Sequence, residues 1–298
     1  MTLSRLKPVL LGLSIILLAF TTSCLKSDDV FDSAAQYTKD QEIISQYIAD
    51  NGLTVQTDTS GHGLKYTMVK EGTGDSPKLN DILFLNYKGT LLSNGKVFDE
   101  QDSAFLQLSP NLIGGWQVLV PYLKEGGEMT MYLPSFYGYG HYGSGDGSIP
   151  ADAILIFNIE LHGIFTQFEF EQYQIERYLE NNDLTAMTDT VKGLKYIITK
   201  EGTGDHPVPS DKIKVDYSGR LLANDEEFEK NENIEYTLSS LIEGWEILMP
   251  YVKEGGSITM FIPSKYAYGT NSVVRNGVVK IPPNSTLIFE VTLNRIVD

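Results

Sequence analysis

Apolar and polar residues along the chain follow one programme twice. Residues 39–52 place Ile43, Ile44, Tyr47 and Ile48 on one helical face, and Asn51-Gly52 is a helix stop. A segment rich in strand formers follows, including ILFLNYKGTLL (82–92), EMTMYLP (128–134) and AILIFNIELHGI (153–164). Within it only the stretch around Trp116 has a helical pattern, and Pro121, which lacks an N–H, ends it within about two turns. The programme then restarts. Residues 165–183 predict a second helix with Phe168, Ile175, Tyr178 and Leu179 on its face and Asn181-Asn182 as its stop. The expected class is α+β, with an antiparallel sheet folded around one short helix in each unit and an amphipathic helix before it.

The restart is a duplication. LIGGWQVLVPYLKEGG (112–127) returns as LIEGWEILMPYVKEGG (241–256), and each copy holds one of the two tryptophans, Trp116 and Trp245. GLKYTMVKEGTGD (63–75), LPSFYGYG (133–140) and SIPADAILIFNIEL (148–161) also recur, as GLKYIITKEGTGD, IPSKYAYG and KIPPNSTLIFEVTL. A period near 130 residues is too long for a solenoid repeat and right for a domain. The expected organisation is a first domain over 53–164, a linker helix over 165–183 and a second domain over 184–298.

Charge and cysteine change the picture at the start of the chain. The net charge of -16 argues against nucleic acid and anionic lipid as electrostatic partners. Arg5 and Lys7 precede an apolar run, VLLGLSIILLAF (9–20), which leads into TTSC with the single cysteine, Cys24. The run suits a signal core and is short for a membrane span. This arrangement resembles a bacterial lipoprotein signal over 1–23, with lipid attached at Cys24 and residues 24–38 as a tether. Leu25, where inner-membrane retention signals carry Asp, makes the outer membrane of the cell envelope the expected address.

Familiar catalytic constellations are missing from the pattern. His62, His141, His162 and His206 lack ligand spacing, so no metal is expected. KEGTGD runs into Pro77 and Pro207 rather than a helix and lacks the Lys-Ser/Thr ending of a phosphate loop. No cofactor motif and no Ser-His-Asp or Cys-His set can be named.

The ordered set Tyr87-Gly89-Leu91, Gly95-Lys96-Val97-Phe98-Asp99, Ile113-Gly114-Gly115-Trp116, Tyr139-Gly140, Ile149-Pro150 and Phe157 resembles the FKBP-type peptidyl-prolyl cis-trans isomerases. The resemblance covers about 64–164 and 194–297 and implies two tandem FKBP-like domains. It implies proline-containing unfolded or exported polypeptides as partners, and a macrolide inhibitor as a further ligand. By resemblance Trp116 is the pocket floor, with Tyr87, Phe98, Phe105, Leu112, Ile149 and Phe157 as walls. The Ile113 N–H and Tyr139 hydroxyl would hold substrate carbonyls, and Asp99 would orient Tyr87 or polarise the twisting amide. The second domain keeps Tyr217, Phe228, Leu241, Ile242, Trp245, Tyr268, Ile281 and Phe289. It departs at Glu229, in place of the Asp, and at Tyr236, expected near the position of Phe105. Its loop from Tyr268 to Ile281 is longer and either covers the pocket or extends it. The first domain is therefore the expected catalyst. From residue type alone these aromatics read as ordinary core.

Overall fold

The computed structural model describes residues 31–297. The signal, Cys24 and most of the tether lie outside the described residues. The first unit comprises α1 (Ser33–Asp50), β1 (Gln56–Thr57), β2 (Lys65–Lys70), β3 (Ile82–Leu91), β4 (Val97–Gln107), α2 (Gly114–Leu119), β5 (Glu128–Leu133) and β6 (Leu155–Phe165). Its six strands form one antiparallel sheet in the order β1-β2-β5-β6-β3-β4. The second unit comprises α3 (Gln167–Asn181), β7 (Met187–Thr188), β8 (Lys195–Lys200), β9 (Lys212–Leu221), β10 (Glu227–Thr237), α4 (Glu243–Leu248), β11 (Ser257–Ile262), β12 (Val273–Arg275), β13 (Val278–Ile281) and β14 (Leu287–Val297). It repeats the sheet as β7-β8-β11-β14-β9-β10 and adds the separate hairpin β12–β13.

Each short helix lies in the hollow of its sheet. Trp116 and Leu119 are buried with Leu83, Leu85, Met129, Met131 and Ile159. Close approach depends on glycine: a Cβ on Gly115 would sit 2.4 Å from the Leu133 side chain, and one on Gly244 2.4 Å from Ile262. Pro121 falls in the first turn of a 3-10 segment, Val120–Tyr122, directly after α2, so the proline reshapes the helix end where its missing N–H predicts.

The helix before each domain is part of that domain. Ile44 is fully buried against Tyr132 and Ile154, and Ile175 and Leu179 against Phe261 and Ile288. Ile43 departs from the expected face and is 39% exposed. A buried carboxylate fixes each helix. The Ser135 N–H and hydroxyl both donate to Asp40 Oδ2, at 2.8 and 2.6 Å. Ser264 does the same to Glu171, at 2.7 and 2.6 Å. Gln36 and Gln167, one turn earlier, donate to the same carboxylates. Burial pushes the Glu171 carboxyl above its ordinary value, although the bonds from Ser264 and Gln167 oppose that rise.

The tether boundary needs correction. α1 starts at Ser33, because Asp32 caps it by accepting from the N–H groups of Ala34 and Ala35 at 3.0 Å each. Residues 33–38 are thus helical. The second start matches expectation more closely: Thr166 and Glu169 form a reciprocal capping box.

α3 also touches the domain before it. Phe105 stacks on Phe84 at 4.9 Å between ring centroids, and Phe170 and Tyr173 of α3 close over it at 5.0 and 5.2 Å. Phe165 joins the same cluster. Among the described residues no helix is long and apolar enough to cross a membrane.

Candidate active site

Two equivalent cavities open over the two tryptophans. In the first domain a cavity of about 230 Å³ is lined by Tyr87, Asp99, Leu106, Asn111, Leu112, Ile113, Trp116, Tyr139 and Phe157. Trp116 forms its floor, with the rings of Tyr87 and Phe157 each edge-on to it at 5.4 Å and 89°. β3 supplies Tyr87, β6 supplies Phe157, β4 supplies Asp99 and Leu106, and the start of α2 supplies Ile113 and Trp116. Gly89 leaves room for the second layer, since a Cβ there would meet the Phe98 ring at 2.5 Å.

The polar groups at the rim are arranged around one hydroxyl. Tyr87 donates to Asp99 Oδ2 at 2.7 Å. Burial raises the Tyr87 phenol well above its ordinary value, and the Asp99 carboxylate raises it further. Burial likewise raises Tyr139, with Asp99 adding to the effect. Both phenols therefore remain protonated donors at neutral pH. Ile113 precedes α2 with extended backbone (ψ 145°), and among the described residues its N–H makes no hydrogen bond.

The second cavity, about 210 Å³, is lined by Tyr217, Glu229, Tyr236, Leu241, Ile242, Trp245, Tyr268, Arg275 and Phe289. Its floor is the same: Tyr217 and Phe289 stand edge-on to Trp245 at 5.4 and 5.3 Å. Its rim differs. Glu229 is bound by Arg275 of the β12–β13 hairpin at 2.9 Å. Tyr217 instead accepts from Asn231 Nδ2 at 2.9 Å and lies 3.3 Å from the Tyr236 hydroxyl. Burial raises Tyr217, with the Tyr236 contact adding to the rise; burial also raises Tyr268, with Glu229 adding. The longer loop thus extends the wall with a charged side chain.

Several expected wall residues belong elsewhere. Phe105 is paired across the sheet with Phe84 and faces away from the cavity; Leu106, paired with Leu83, faces in. A one-residue slip in a strand reverses every side chain, and the β3–β4 pairing shifts register between Leu85 and Tyr87, with the extra residue in β4. Tyr236 is paired with Ile213 as Leu106 is with Leu83, so its counterpart is Leu106, not Phe105. Phe98 and Phe228 form a second layer behind Phe157 and Phe289, edge-on at 5.5 and 5.6 Å. Ile149 and Ile281 do not line the cavities and pack in the core clusters that hold the tryptophans. Leu106, Asn111 and Arg275 are lining residues that sequence reasoning missed. A lone arginine in the apolar loop VVRNGVV was the available signal for Arg275. A larger depression of about 550 Å³ on the outer face of the second sheet is bordered by Asp216, Ser218, Lys230 and Glu232, a polar edge unsuited to a proline ring.

The sequence profile described as FKBP-type peptidyl-prolyl cis-trans isomerase matches residues 74–162 and 204–294, once over each cavity. The chain belongs to that family. FKBP-type relatives named FkpA are similar to parts of it. That of Buchnera aphidicola subsp. Baizongia pistaciae is 40% identical over 107 residues, covering 35% of this chain and 41% of the relative. That of Escherichia coli K12 is 38% identical over 104 residues, covering 34% and 37%. The crystal structure of FkpA from Escherichia coli is 33% identical, with a TM-score of 0.36 over 42% of this chain and 58% of that one. The three FKBP domains of wheat FKBP73 are 24% identical, with a TM-score of 0.40 over 82% of this chain and 99% of that one. The chain thus matches well under two thirds of the length of these FkpA relatives.

Proposed function

We propose that the chain is a peptidyl-prolyl cis-trans isomerase acting on exported, incompletely folded polypeptides at the cell envelope, with the first domain as the better catalyst. The observation that carries this reading is the Tyr87–Asp99 hydrogen bond at the rim of the Trp116-floored cavity. Rotation about the bond before proline meets a barrier of about 18–20 kcal/mol because amide resonance must break. Water stabilises the charge-separated planar form; an aromatic cavity withdraws that stabilisation and suits the twisted amide. Lowering the barrier by about 5–6 kcal/mol gives roughly four powers of ten. The proline ring rests on Trp116 between Tyr87 and Phe157. The Ile113 N–H and the Tyr139 hydroxyl bind flanking carbonyls, and Asp99 holds the Tyr87 ring in place. No nucleophile, metal or cofactor enters this mechanism.

The test is cis/trans exchange of an Xaa-Pro peptide catalysed by residues 31–297, repeated with Tyr139→Phe and Asp99→Asn. Loss of rate in both variants, with unchanged thermal melts, supports the assignment; wild-type protein that leaves the exchange rate unchanged overturns it. Lipid at Cys24 anchors the protein in this reading, in the outer membrane, and Cys24→Ser moves it to the soluble fraction.

A second reading applies to the second domain. Arg275 neutralises Glu229 at the cavity mouth, and Tyr217 is engaged by Asn231 and Tyr236. These contacts favour a binding domain that holds proline segments as a chaperone or scaffold with little catalysis.

A further inference from the structure

The loop that carries Tyr139 also borders a second hollow, on the α1 side of the first domain. This groove, about 450 Å³, is walled by Tyr37, His62, Phe136 and Tyr137, with Gly61 and Gly63 in its base. The rings meet at angles: Tyr137 is edge-on to Tyr37 at 6.1 Å, to His62 at 5.7 Å and to Phe136 at 5.2 Å. Phe136 is 61% exposed, although it is large and apolar.

The second domain holds an occupant at the same place. By the repeat, Phe168 matches Tyr37, Tyr266 matches Tyr137, and Lys265 matches Phe136. Lys265 Nζ lies 5.7 Å from the centre of the Phe168 ring and 5.5 Å from that of Tyr266. An ammonium at such distances is drawn to the negative faces of the rings. The second copy thus satisfies its aromatic corner with its own lysine. The first copy keeps the corner, replaces the lysine with another ring and leaves the space open.

We propose that the groove of Tyr37, Phe136 and Tyr137 is a binding site for a lysine side chain of a client polypeptide. The chain's net charge of -16 draws basic segments toward it. Phe136 and Tyr137 lie two or three residues before Tyr139, so the groove and the Trp116 cavity share one loop. The identity of the partner rests on the isomerase reading; the lysine selectivity does not, and it is measured without proline.

The experiment titrates residues 31–297 with a proline-free, end-blocked Gly/Ser peptide bearing one central lysine, followed by the ring signals in NMR. The control peptide carries norleucine, which keeps the apolar stem and removes the charge. The lysine peptide should shift the Tyr37, Phe136 and Tyr137 signals and bind at least about fivefold more tightly than the norleucine peptide. Phe136→Lys, which copies the second domain, should fill the groove and abolish binding. Lys265→Phe should open a second site beside Phe168 and Tyr266. Both positions are at the surface, and thermal melts verify folding. Equal affinity for the two peptides, retained binding in Phe136→Lys, or no ring shifts at millimolar lysine peptide would overturn the proposal. So would self-association, abolished by Phe136→Lys, as the only lysine-dependent event. Loss of prolyl isomerisation with lysine binding intact would overturn only the isomerase reading.

Discussion

The two cavities share a floor and differ at the rim. In the first, a carboxylate on β4 receives the hydrogen bond of a tyrosine inside the cavity. In the second, the equivalent carboxylate, one methylene longer, turns to an arginine on the added hairpin, and the tyrosine finds two new partners. The tryptophan and the edge-on rings pack against one another and against the core beneath them in both copies. The carboxylate rim is held by different partners in the two copies, Tyr87 with Asp99 in one and Arg275 with Glu229 in the other. The floor is what the two copies share, and the carboxylate rim is where they differ.

That contrast can be tested from both directions. The largest effect should come from what the copies share. Asp40→Ala and Glu171→Ala each leave a buried serine N–H and hydroxyl unpaired, at a cost of about 1–3 kcal/mol. Denaturant melts should show similar losses for both; a loss in only one copy would mean that one helix is merely appended. Next is Asp99→Asn, expected to lower kcat/KM about tenfold, or ~1.4 kcal/mol of transition-state stabilisation. Glu229→Gln should change it less than about twofold, because that carboxylate does not hold Tyr217.

A smaller effect is expected from reshaping the second rim. Glu229→Asp alone should be nearly silent while Arg275 still pairs with the carboxylate. Combined with Arg275→Ala it should raise the activity left in an Asp99→Asn background by about threefold at most, because Tyr236 still stands where the first domain has Leu106. A full recovery would make Arg275 the sole cause of the difference. The smallest effect concerns pH. Tyr87 and Tyr217 both have raised values in the folded chain, so the unfolded chain loses these protons first. Their contribution to stability is complete below pH 10 and falls as pH rises through the folded values. Tyr87→Phe and Tyr217→Phe should each flatten the alkaline decline in melting temperature, by similar amounts despite their different partners.

The duplication, the two sheets and the short proline-ended helix were legible because each rests on strong local chemistry or on repetition. The start of α1 was not: SAAQYT has no apolar stripe, and its signal is the Asp32 cap alone. β4 and β10 were missed as strands because they are edge strands with no fully buried side chain, and each is broken by a left-handed residue, Ser103 and Asn233. Phe105 was assigned to the wall by resemblance alone, and it is the break at Ser103 that sets the phase in which Leu106 rather than Phe105 faces the cavity. The Glu229–Arg275 pair joins residues far apart in sequence, and no local pattern announces it.

The aromatic cluster around Phe105 has a consequence for how such chains can be assembled. Where the first domain sets Phe84 opposite Phe105, the second sets Lys214 opposite Glu235. Where α3 offers Phe170 and Tyr173, the matching positions of α1 are Lys39 and Glu42. The duplicates are therefore not interchangeable beads. One carries a socket on its trailing side and the other a plug on its leading side, while the remaining sides are charged. A chimera with the domain order reversed would place Lys214 and Glu235 against charged helix positions and leave the rings in water. A further unit led by an α3-type helix would meet Lys214 and Glu235 in place of the aromatic socket.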